Sequence, residues 1–241
     1  MPAHDTHAEP KYYQVKKKLL NDIAGLKPGH AIAPERELAE QFRTSRTTVR
    51  QALTELVVQG LLERAQGRGT FVANPKTTQT LQLNHPLDDI QANDIFPTST
   101  LLTLDIEHAD SEVSLRLELR GGARVVRIEK LRLTSGEPMA IETAYVPASR
   151  FPYLKRHLKQ HKSLYCALRE HYGITLSQAE ETIETVLCPP REAMLLHTEV
   201  GAPMLLLSRR SYADDGTPVE FARSLYRGDR YKFATKHTRP N

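Results

Sequence analysis

Residues 34–57 read PERELAEQFRTSRTTVRQALTELV, and this stretch decides how the chain begins to fold. A proline at 34 suits the start of a helix, and Leu38, Ala39 and Phe42 then recur at helical spacing. Ser45 suits the N-cap of a second helix, because its hydroxyl can accept a hydrogen bond from a free backbone N–H. The apolar face of that helix consists of Val49, Ala52, Leu53, Leu56 and Val57. Two helices joined by a tight turn predict a helix-turn-helix, whose second helix enters the major groove of DNA.

The flanking residues extend this unit on both sides. An amphipathic helix from Tyr12 to about Gly25 precedes it, with Val15, Leu19, Leu20 and Ile23 on its apolar face. Gly60 ends the last helix, and residues 61–64 and 70–73 have the pattern of two strands joined by a glycine-rich hairpin tip at residues 66–69. The pattern predicts a winged helix.

Exposed cations in this unit suit DNA. Arg46 and Arg50 lie four residues apart on one helix face, where a guanidinium can bond guanine O6 and N7 together. Arg36 opens the preceding helix, and Arg68 lies in the tip between Gly67 and Gly69, which allow a close approach to DNA. A solvated basic face is the ordinary alternative for any single arginine. Charge is also uneven: residues 1–76 contain 12 Lys and Arg against 8 Asp and Glu, whereas residues 77–241 contain 21 of each.

These motifs resemble the DNA-binding domain of the GntR family of bacterial repressors. The resemblance rests on residues 34–39, 45–53, 60–62 and 67–72 and spans nearly all of residues 11–74. It implies that Arg36, Arg46 and Arg50 approach operator bases and that Gly67, Arg68 and Gly69 form a wing in the minor groove. Ser45 and Thr48 would contact phosphates, and Thr47 lies between them in the same contact surface. Phosphate contacts position the domain without reading sequence.

The remainder of the chain mixes strands and helices. Residues 75–100 contain Pro75, Pro86 and Pro97 and are interpreted as a linker that merges into a second domain. The pattern predicts hairpins at residues 124–146 and 204–226, a helix at 163–172, a strand at 180–186 and a short helix at 190–196. Apart from the shared hairpin style, no internal repeat is evident. The expected fold is an antiparallel α+β domain.

Enzyme motifs are absent from this region. It has no nucleophile elbow, P-loop, dinucleotide fingerprint or metal-binding histidine spacing. His157 and His161 share a helical face, which is more often solvated surface than a metal site. The remaining polar candidates are Lys130, Arg132, Glu142 and Glu220 on strands. Any one of them ordinarily faces solvent, but Lys130 and Arg132 share one strand face and could hold a phosphate together with helix-start amides near Ser163.

This second region resembles the UTRA effector domain of the HutC branch, which is similar in fold to chorismate lyase. Residues 136–142, 163–165, 180–184 and 226–233 carry the resemblance, which is greatest to repressors of N-acetylglucosamine utilisation. It implies that Arg132, Ser163 and Tyr165 bind an effector phosphate, that Glu142 and Glu220 hold sugar hydroxyls, and that Tyr226 lines the pocket. Lys130 replaces a common arginine. Residues 84–87, Asn-His-Pro-Leu, replace a usual Thr-Ser-aromatic-Thr phosphate clasp, so the effector of this chain can differ.

Composition excludes several classes of protein. Hydrophobic residues make up 39% and charged residues 26%, as in folded soluble proteins. No apolar run is long enough to cross a membrane, and the first residues lack the profile of a signal peptide. Cys166 and Cys188 are too few for a disulfide framework or a cysteine zinc site. We therefore expect a cytoplasmic protein with no membrane contact, no metal, no cofactor and no catalytic residue.

The sequence thus predicts a flexible arm at residues 1–10, a winged helix-turn-helix at 11–76, and a linker with a UTRA effector-binding and dimerisation domain at 77–241. The expected function is a homodimeric repressor of an inverted-repeat DNA operator, released by an amino-sugar phosphate such as glucosamine 6-phosphate or N-acetylglucosamine 6-phosphate. One rival is an enzyme on the chorismate-lyase-like fold. Another is a nucleoid-type DNA binder without an effector.

Overall fold

The computed structural model describes residues 9–65, 67–80, 98–160 and 163–235. Backbone contacts divide them into two units. The first contains the chain up to Thr77 together with Gly228–Arg230, and the second contains Thr78–Arg227 and the residues from Tyr231 onward. The residues 84–87 and 161 discussed above lie outside the described ranges.

The first unit is a winged helix. Its helices are α1 (Lys11–Ile23), α2 (Glu35–Gln41) and α3 (Arg46–Val58), and its strands are β1 (Ala31–Ile32), β2 (Leu62–Ala65) and β3 (Gly69–Val72). The strands form an antiparallel sheet in the order β1-β3-β2. The two-residue strand β1 was not predicted, because a run this short has no readable period.

Apolar burial and one cap hold the helix-turn-helix together. Val49, Ala52, Leu53 and Leu56 of α3 are at most 2% exposed and pack in one cluster with Val15, Leu19 and Ile23 of α1 and Leu38 of α2. The predicted cap is present, since the Ser45 hydroxyl accepts a hydrogen bond from the Thr48 N–H at 3.1 Å. At the far end, Gly60 has φ +70° and ends the last turn after α3.

The second unit is an antiparallel α+β domain, as predicted. Its strands are β4 (Thr77–Thr80), β5 (Thr98–His108), β6 (Arg124–Thr134), β7 (Glu137–Pro147), β8 (Leu176–Leu187), β9 (Pro203–Ala213), β10 (Pro218–Arg227) and β11 (Tyr231–Ala234). Its helices are α4 (Ser111–Arg116), α5 (Leu154–Gln160), α6 (Leu164–Tyr172) and α7 (Pro190–Leu195). β4 and the start of β5 fall within the residues interpreted as a linker, and β4 pairs with β11.

Six strands of this unit form one sheet in the order β5-β6-β7-β10-β9-β8. Each half follows the same path of strand, helix, strand, strand: β5-α4-β6-β7 and β8-α7-β9-β10. The antiparallel pairing of β7 with β10 joins the halves. This internal repeat was not visible in the sequence beyond the two hairpins, because the repeat lies in the order of elements.

Side chains alternate between two packed faces of this sheet. Val126, Ile128 and Ala144 pack on one face against α5 and α6, where Leu154 and Leu164 are buried. Ile141 and Leu225 pack on the other face against α7, and Val125 packs there against α4. Strands β6, β7 and β10 therefore present even-numbered polar residues, from Lys130 to Ser224, toward the α6 side, whereas β9 presents the odd-numbered Arg209 there.

Truncating the core of the first unit should lower its stability. Leu56→Ala removes a fully buried side chain and should cost about 2–5 kcal/mol in the free energy of unfolding of this unit. Val58→Ala on the same helix is the matched control, because Val58 is 43% exposed and should change stability by less than about 0.5 kcal/mol. Urea unfolding of the full chain measures both. Equal effects of the two variants would contradict the packing described.

Candidate functional site

The first candidate site is the exposed start of α3. Arg46, Thr47 and Arg50 are exposed, and Thr48 is half-buried. The Ser45 hydroxyl lies 2.8 Å from the Thr48 hydroxyl and caps the helix, so both side chains are held at its N-terminus. This end of a helix carries free N–H groups and a positive dipole, which suit a phosphate. The arrangement places the predicted phosphate contacts beside the arginines.

Two arginines of this surface, Arg36 and Arg50, are paired with carboxylates. Arg50 donates to both oxygens of Glu35: Nη2 lies 2.7 Å and Nε 2.9 Å from Oε2, and Nε lies 3.1 Å from Oε1. That hydrogen bond lowers the pKa of the Glu35 carboxyl below its usual value, and Glu35 in turn raises the pKa of Arg50. Arg36 pairs similarly with Glu40 at 3.2 Å. Glu35 was not among the predicted residues, because 15 positions separate it from Arg50.

The wing tip is exposed, and its two glycines have left-handed backbone conformations. Gly67 and Gly69 have φ of +71° and +113°, a conformation that favours glycine. Between them Arg68 donates its backbone N–H to the Ala65 carbonyl at 2.9 Å, and its guanidinium lies 5.9 Å from the centre of the Phe71 ring. Gln66 lies outside the described residues. The tip therefore presents one cation on a tight turn.

The second candidate site is a cavity in the second unit, between the sheet and α6. The space among its lining residues, counted together with the open solvent at its mouth, is about 450 Å³. Its polar lining consists of Lys130, Arg132, Glu142, Tyr165, Arg209 and Glu220. The small side chains of Ala144, Ala222 and Ser224 also line it.

The cavity collects buried charge from four neighbouring strands. Lys130 and Arg132 on β6 are 7% and 6% exposed, and Arg209 on β9 is 8% exposed. Arg132 Nη2 lies 3.1 and 3.2 Å from the two carboxylate oxygens of Glu142 on β7. Lys130 is the direct cross-strand partner of Glu142. Buried charges require such partners, because burial removes their solvation by water.

A hydrogen-bonded chain forms the opposite side of the cavity. The Tyr165 hydroxyl donates to Glu220 Oε2 at 2.7 Å, and the Ser211 hydroxyl donates to the same oxygen at 2.9 Å. Burial raises the pKa of Glu220 above its usual value, although the Tyr165 hydrogen bond and the Arg209 charge act to lower it. Arg209 is held from outside the cavity by Glu181, with 2.7 Å between Nε and Oε1.

Two predicted pocket residues, Ser163 and Tyr226, are not among those that line the cavity. Ser163 is the N-cap of α6 and accepts a hydrogen bond from the Cys166 N–H at 3.2 Å, next to the lining residue Leu164. Tyr226 is buried, with its ring 5.1 Å from Tyr231 and 5.0 Å from Phe233 between ring centres. The other five predicted residues, Lys130, Arg132, Glu142, Tyr165 and Glu220, share the cavity.

Sequence reasoning missed Arg209 and Ser224 in the cavity. The alternation of β9 places Arg209 on one face with Leu207 and Ser211, and Ser211 pairs with Glu220 within the predicted hairpin. The other residues that line the cavity over this face come from β6, β7 and α6, which are distant in sequence. His157 stacks on His171, with 3.7 Å between ring centres. Among the described residues, no three potential ligands gather as a metal site, and no helix is long and apolar enough to cross a membrane.

A winged helix with exposed arginines, followed by a unit with a cavity lined by charged side chains, is typical of a DNA-binding transcription regulator. Residues 11–72 match the family model "Bacterial regulatory proteins, gntR family", and residues 94–232 match the UTRA domain. The chain belongs to the GntR family, and its C-terminal part is a UTRA domain.

Full-length relatives agree with this assignment. The chain is 38% identical over 227 residues to the HTH-type transcriptional repressor NagR of Bacillus subtilis, covering 93% of each chain. It is 36% identical over 227 residues to the histidine utilization repressor of Pseudomonas putida, covering 92% of this chain and 89% of the relative. The crystal structure of PhnF from Mycobacterium smegmatis matches with a TM-score of 0.64 and 37% identity, covering 93% of this chain and 99% of PhnF. The predictions of family, of fold and of a regulator in place of an enzyme are confirmed.

The raised pKa of Glu220 predicts a pH-dependent stability difference. A carboxyl that holds its proton more tightly when folded favours folding at low pH and loses that contribution as pH rises from about 4.5 through its folded-state pKa. Glu220→Gln removes this dependence and can still accept both hydroxyl hydrogen bonds. The melting temperature of the variant relative to the natural protein should therefore rise with pH above about 4.5 and then level off. A difference that is constant from pH 4 to pH 8 would contradict it.

Proposed function

We propose that this chain is a cytoplasmic homodimeric repressor that binds an inverted-repeat operator and is released by an amino-sugar phosphate. The observation that carries the proposal is the cavity of the UTRA domain, which is lined by two buried cations on β6, a buried carboxylate on β10 and a half-buried carboxylate on β7. Such a mixture suits a ligand with an anionic end and a hydroxyl-rich body. A purely apolar ligand would leave these charges without compensation.

The phosphate is assigned to the β6 side of the cavity. Arg132 offers a planar fork and Lys130 a compact charge, both suited to phosphate oxygens. The first N–H groups of α6, next to Ser163 and Tyr165, would complete that site. This assignment of the phosphate follows the resemblance to repressors of N-acetylglucosamine utilisation. Glucosamine 6-phosphate and N-acetylglucosamine 6-phosphate are therefore the first ligands to test.

The sugar body is assigned to the carboxylates. Glu142 and Glu220 are acceptors for hydroxyl or ammonium groups, and Tyr226 is assigned to the edge of the same pocket. Glu142 is already engaged by Arg132, so a bound phosphate would share the Arg132 guanidinium with it. Effector affinity therefore depends on whether Arg132 keeps its contact with Glu142 when the phosphate binds.

Operator recognition is assigned to α2, α3 and the wing. Arg46, Arg50 and Arg36 read bases in the major groove, and Ser45, Thr47 and Thr48 position the helix on phosphates. Gly67, Arg68 and Gly69 enter the minor groove, whose negative potential attracts the arginine. Because two-fold dimers read two half-sites, the operator is an inverted repeat.

Arg50→Ala tests the base-reading role. Loss of a bidentate base contact should weaken binding to the specific operator by about 1–3 kcal/mol and binding to random DNA much less. Lys27→Ala removes one exposed positive charge from the turn after α1 and serves as the control for charge alone. Fluorescence anisotropy at fixed salt measures both DNAs. Equal losses on operator and random DNA would show that Arg50 contacts only phosphate.

Arg132→Met tests the phosphate site. A hydrogen bond to a charged group contributes about 1.5–3 kcal/mol, so affinity for glucosamine 6-phosphate should fall about tenfold or more while operator binding is retained. Arg124→Met changes an exposed arginine at the start of the same strand and is the matched control. Calorimetry measures the affinity. Equally tight binding of unphosphorylated glucosamine, with Arg132→Met unaffected, would overturn the phosphate site and leave the repressor function standing.

A further inference from the structure

Arg64 links the wing to α3 and has no role in the DNA-binding surface described above. It lies on β2, and its Nη2 atom donates to the Thr54 hydroxyl of α3 at 2.9 Å. Both residues are exposed. Their hydrogen bond therefore joins the two elements at the surface, outside the apolar cluster in which Leu62 of β2 packs with Leu53 and Leu56 of α3.

The alternation of the wing strands brings Arg64 to the α3 side of the sheet. Leu62 of β2 is paired with Val72 of β3, and both are buried in the cluster that contains the apolar face of α3. Two residues closer to the wing tip, Arg64 is paired with Thr70. Side chains two residues apart on a strand share a face. Arg64 therefore continues the buried, α3-facing row to the point where that row reaches the surface.

Thr54 belongs to the side of α3 that carries the predicted DNA contacts. Arg46, Arg50 and Thr54 follow one another at intervals of four residues, and all three are exposed. Arg64 is hydrogen-bonded to the last of them, and Arg68 at the wing tip follows four residues later in the chain. Arginines thus follow one another from α3, across the base of the wing, to its tip.

The positive charge of Arg64 is held without being neutralised. Arg50 is paired with the carboxylate of Glu35. Arg64, in contrast, is held by a neutral hydroxyl, and among the described residues no carboxylate lies within ion-pair distance of its guanidinium. A guanidinium has several N–H donors, and the contact with Thr54 involves only Nη2. Arg64 is therefore oriented by α3 while it keeps its charge and further donors for an anion.

We propose that Arg64 binds a phosphate of the sugar-phosphate strand that separates the major groove read by α3 from the minor groove entered by the wing. The proposal rests on the operator recognition proposed above and deepens it by adding a contact between the two grooves. Neighbouring grooves of a duplex share one phosphate backbone, so a protein that fills both must cross that backbone. A cation between α3 and the wing tip meets it there, and Thr54 holds the guanidinium in place. Such a contact positions the domain without reading sequence.

The salt dependence of DNA binding tests this contact. Two duplexes are used with the full chain: one that the natural protein selects from a random-sequence library, and one of random sequence. Loss of one phosphate contact reduces the slope of log affinity against log salt concentration by about 0.9. Arg64→Met should reduce the slope by that amount for each bound subunit and weaken binding to both duplexes about tenfold. Arg64→Lys should keep the slope, because it keeps the charge.

Lys27→Met is the control for the loss of one exposed positive charge, because Lys27 lies in the turn after α1. It should leave the slope unchanged. An unchanged slope in Arg64→Met, or an equal reduction in Lys27→Met, would overturn the proposal.

Thr54→Val separates a phosphate contact from a brace between β2 and α3. It removes the hydroxyl that holds Arg64 but leaves the Arg64 charge, so binding should weaken less than in Arg64→Met and the slope should stay the same. Equal losses in the two variants would make Arg64 a structural brace and overturn the proposal. A loss in Arg64→Met that is confined to the selected duplex would make Arg64 a base contact and also overturn it. If the library yields no selected duplex, the proposed operator recognition is wrong, and the slope on random DNA still decides the role of Arg64.

Discussion

The pairing of β7 with β10 joins the two halves of the sheet, although three helices and two strands separate these two strands in sequence. Across this seam Glu142 lies opposite Ser224, and Ala144 lies opposite Ala222. Small residues in this row leave the cavity open, while Arg132 and Arg209 close it from the neighbouring strands. A register shift of one residue would turn the seam's side chains to the opposite face and separate the charges from one another. The chemistry of the pocket therefore depends on this one antiparallel ladder.

The two sites of the chain hold their arginines in different ways. Arg36 and Arg50 of the DNA-binding unit are exposed and pair with Glu40 and Glu35 at the surface. Exposed ion pairs contribute little to stability, so little free energy opposes the transfer of a guanidinium from its carboxylate to a base or phosphate. In the cavity, by contrast, Arg132 and Arg209 are buried. Loss of a partner there would leave an uncompensated charge, which keeps these side chains in place.

Local patterns predicted most of the fold. The spacing of Val49, Ala52 and Leu53 and the cap at Ser45 are readable within one helix, and the hairpin at residues 124–146 follows from alternation and a glycine turn. The strand β5, the helix α4 and the repeated order of elements were not predicted. Their apolar patterns are too short or too mixed to predict a helix or a strand, and these elements are defined only by packing in the assembled six-stranded sheet.

The residues of the candidate sites also fall into those that local spacing predicts and those that depend on contacts distant in the chain. The arginines of α3 are four residues apart, so their shared face follows from helix geometry alone. Glu35 and Arg209 were missed, because each meets residues brought near by the fold: Glu35 contacts Arg50 across the turn, and Arg209 lines a cavity together with Tyr165 of α6. Polar residues on strands can be sorted by face from sequence. Which of them meet depends on strand order, and that is set by contacts distant in the chain.

The most direct test of the account is the linkage between effector and operator. Operator affinity is measured with and without saturating glucosamine 6-phosphate, and the affinity for glucosamine 6-phosphate is measured with and without operator. Because coupling between two binding sites is reciprocal, each ligand should weaken the other by the same factor, between about 5-fold and 150-fold. Operator affinity that is unchanged by the bound sugar phosphate would contradict the account.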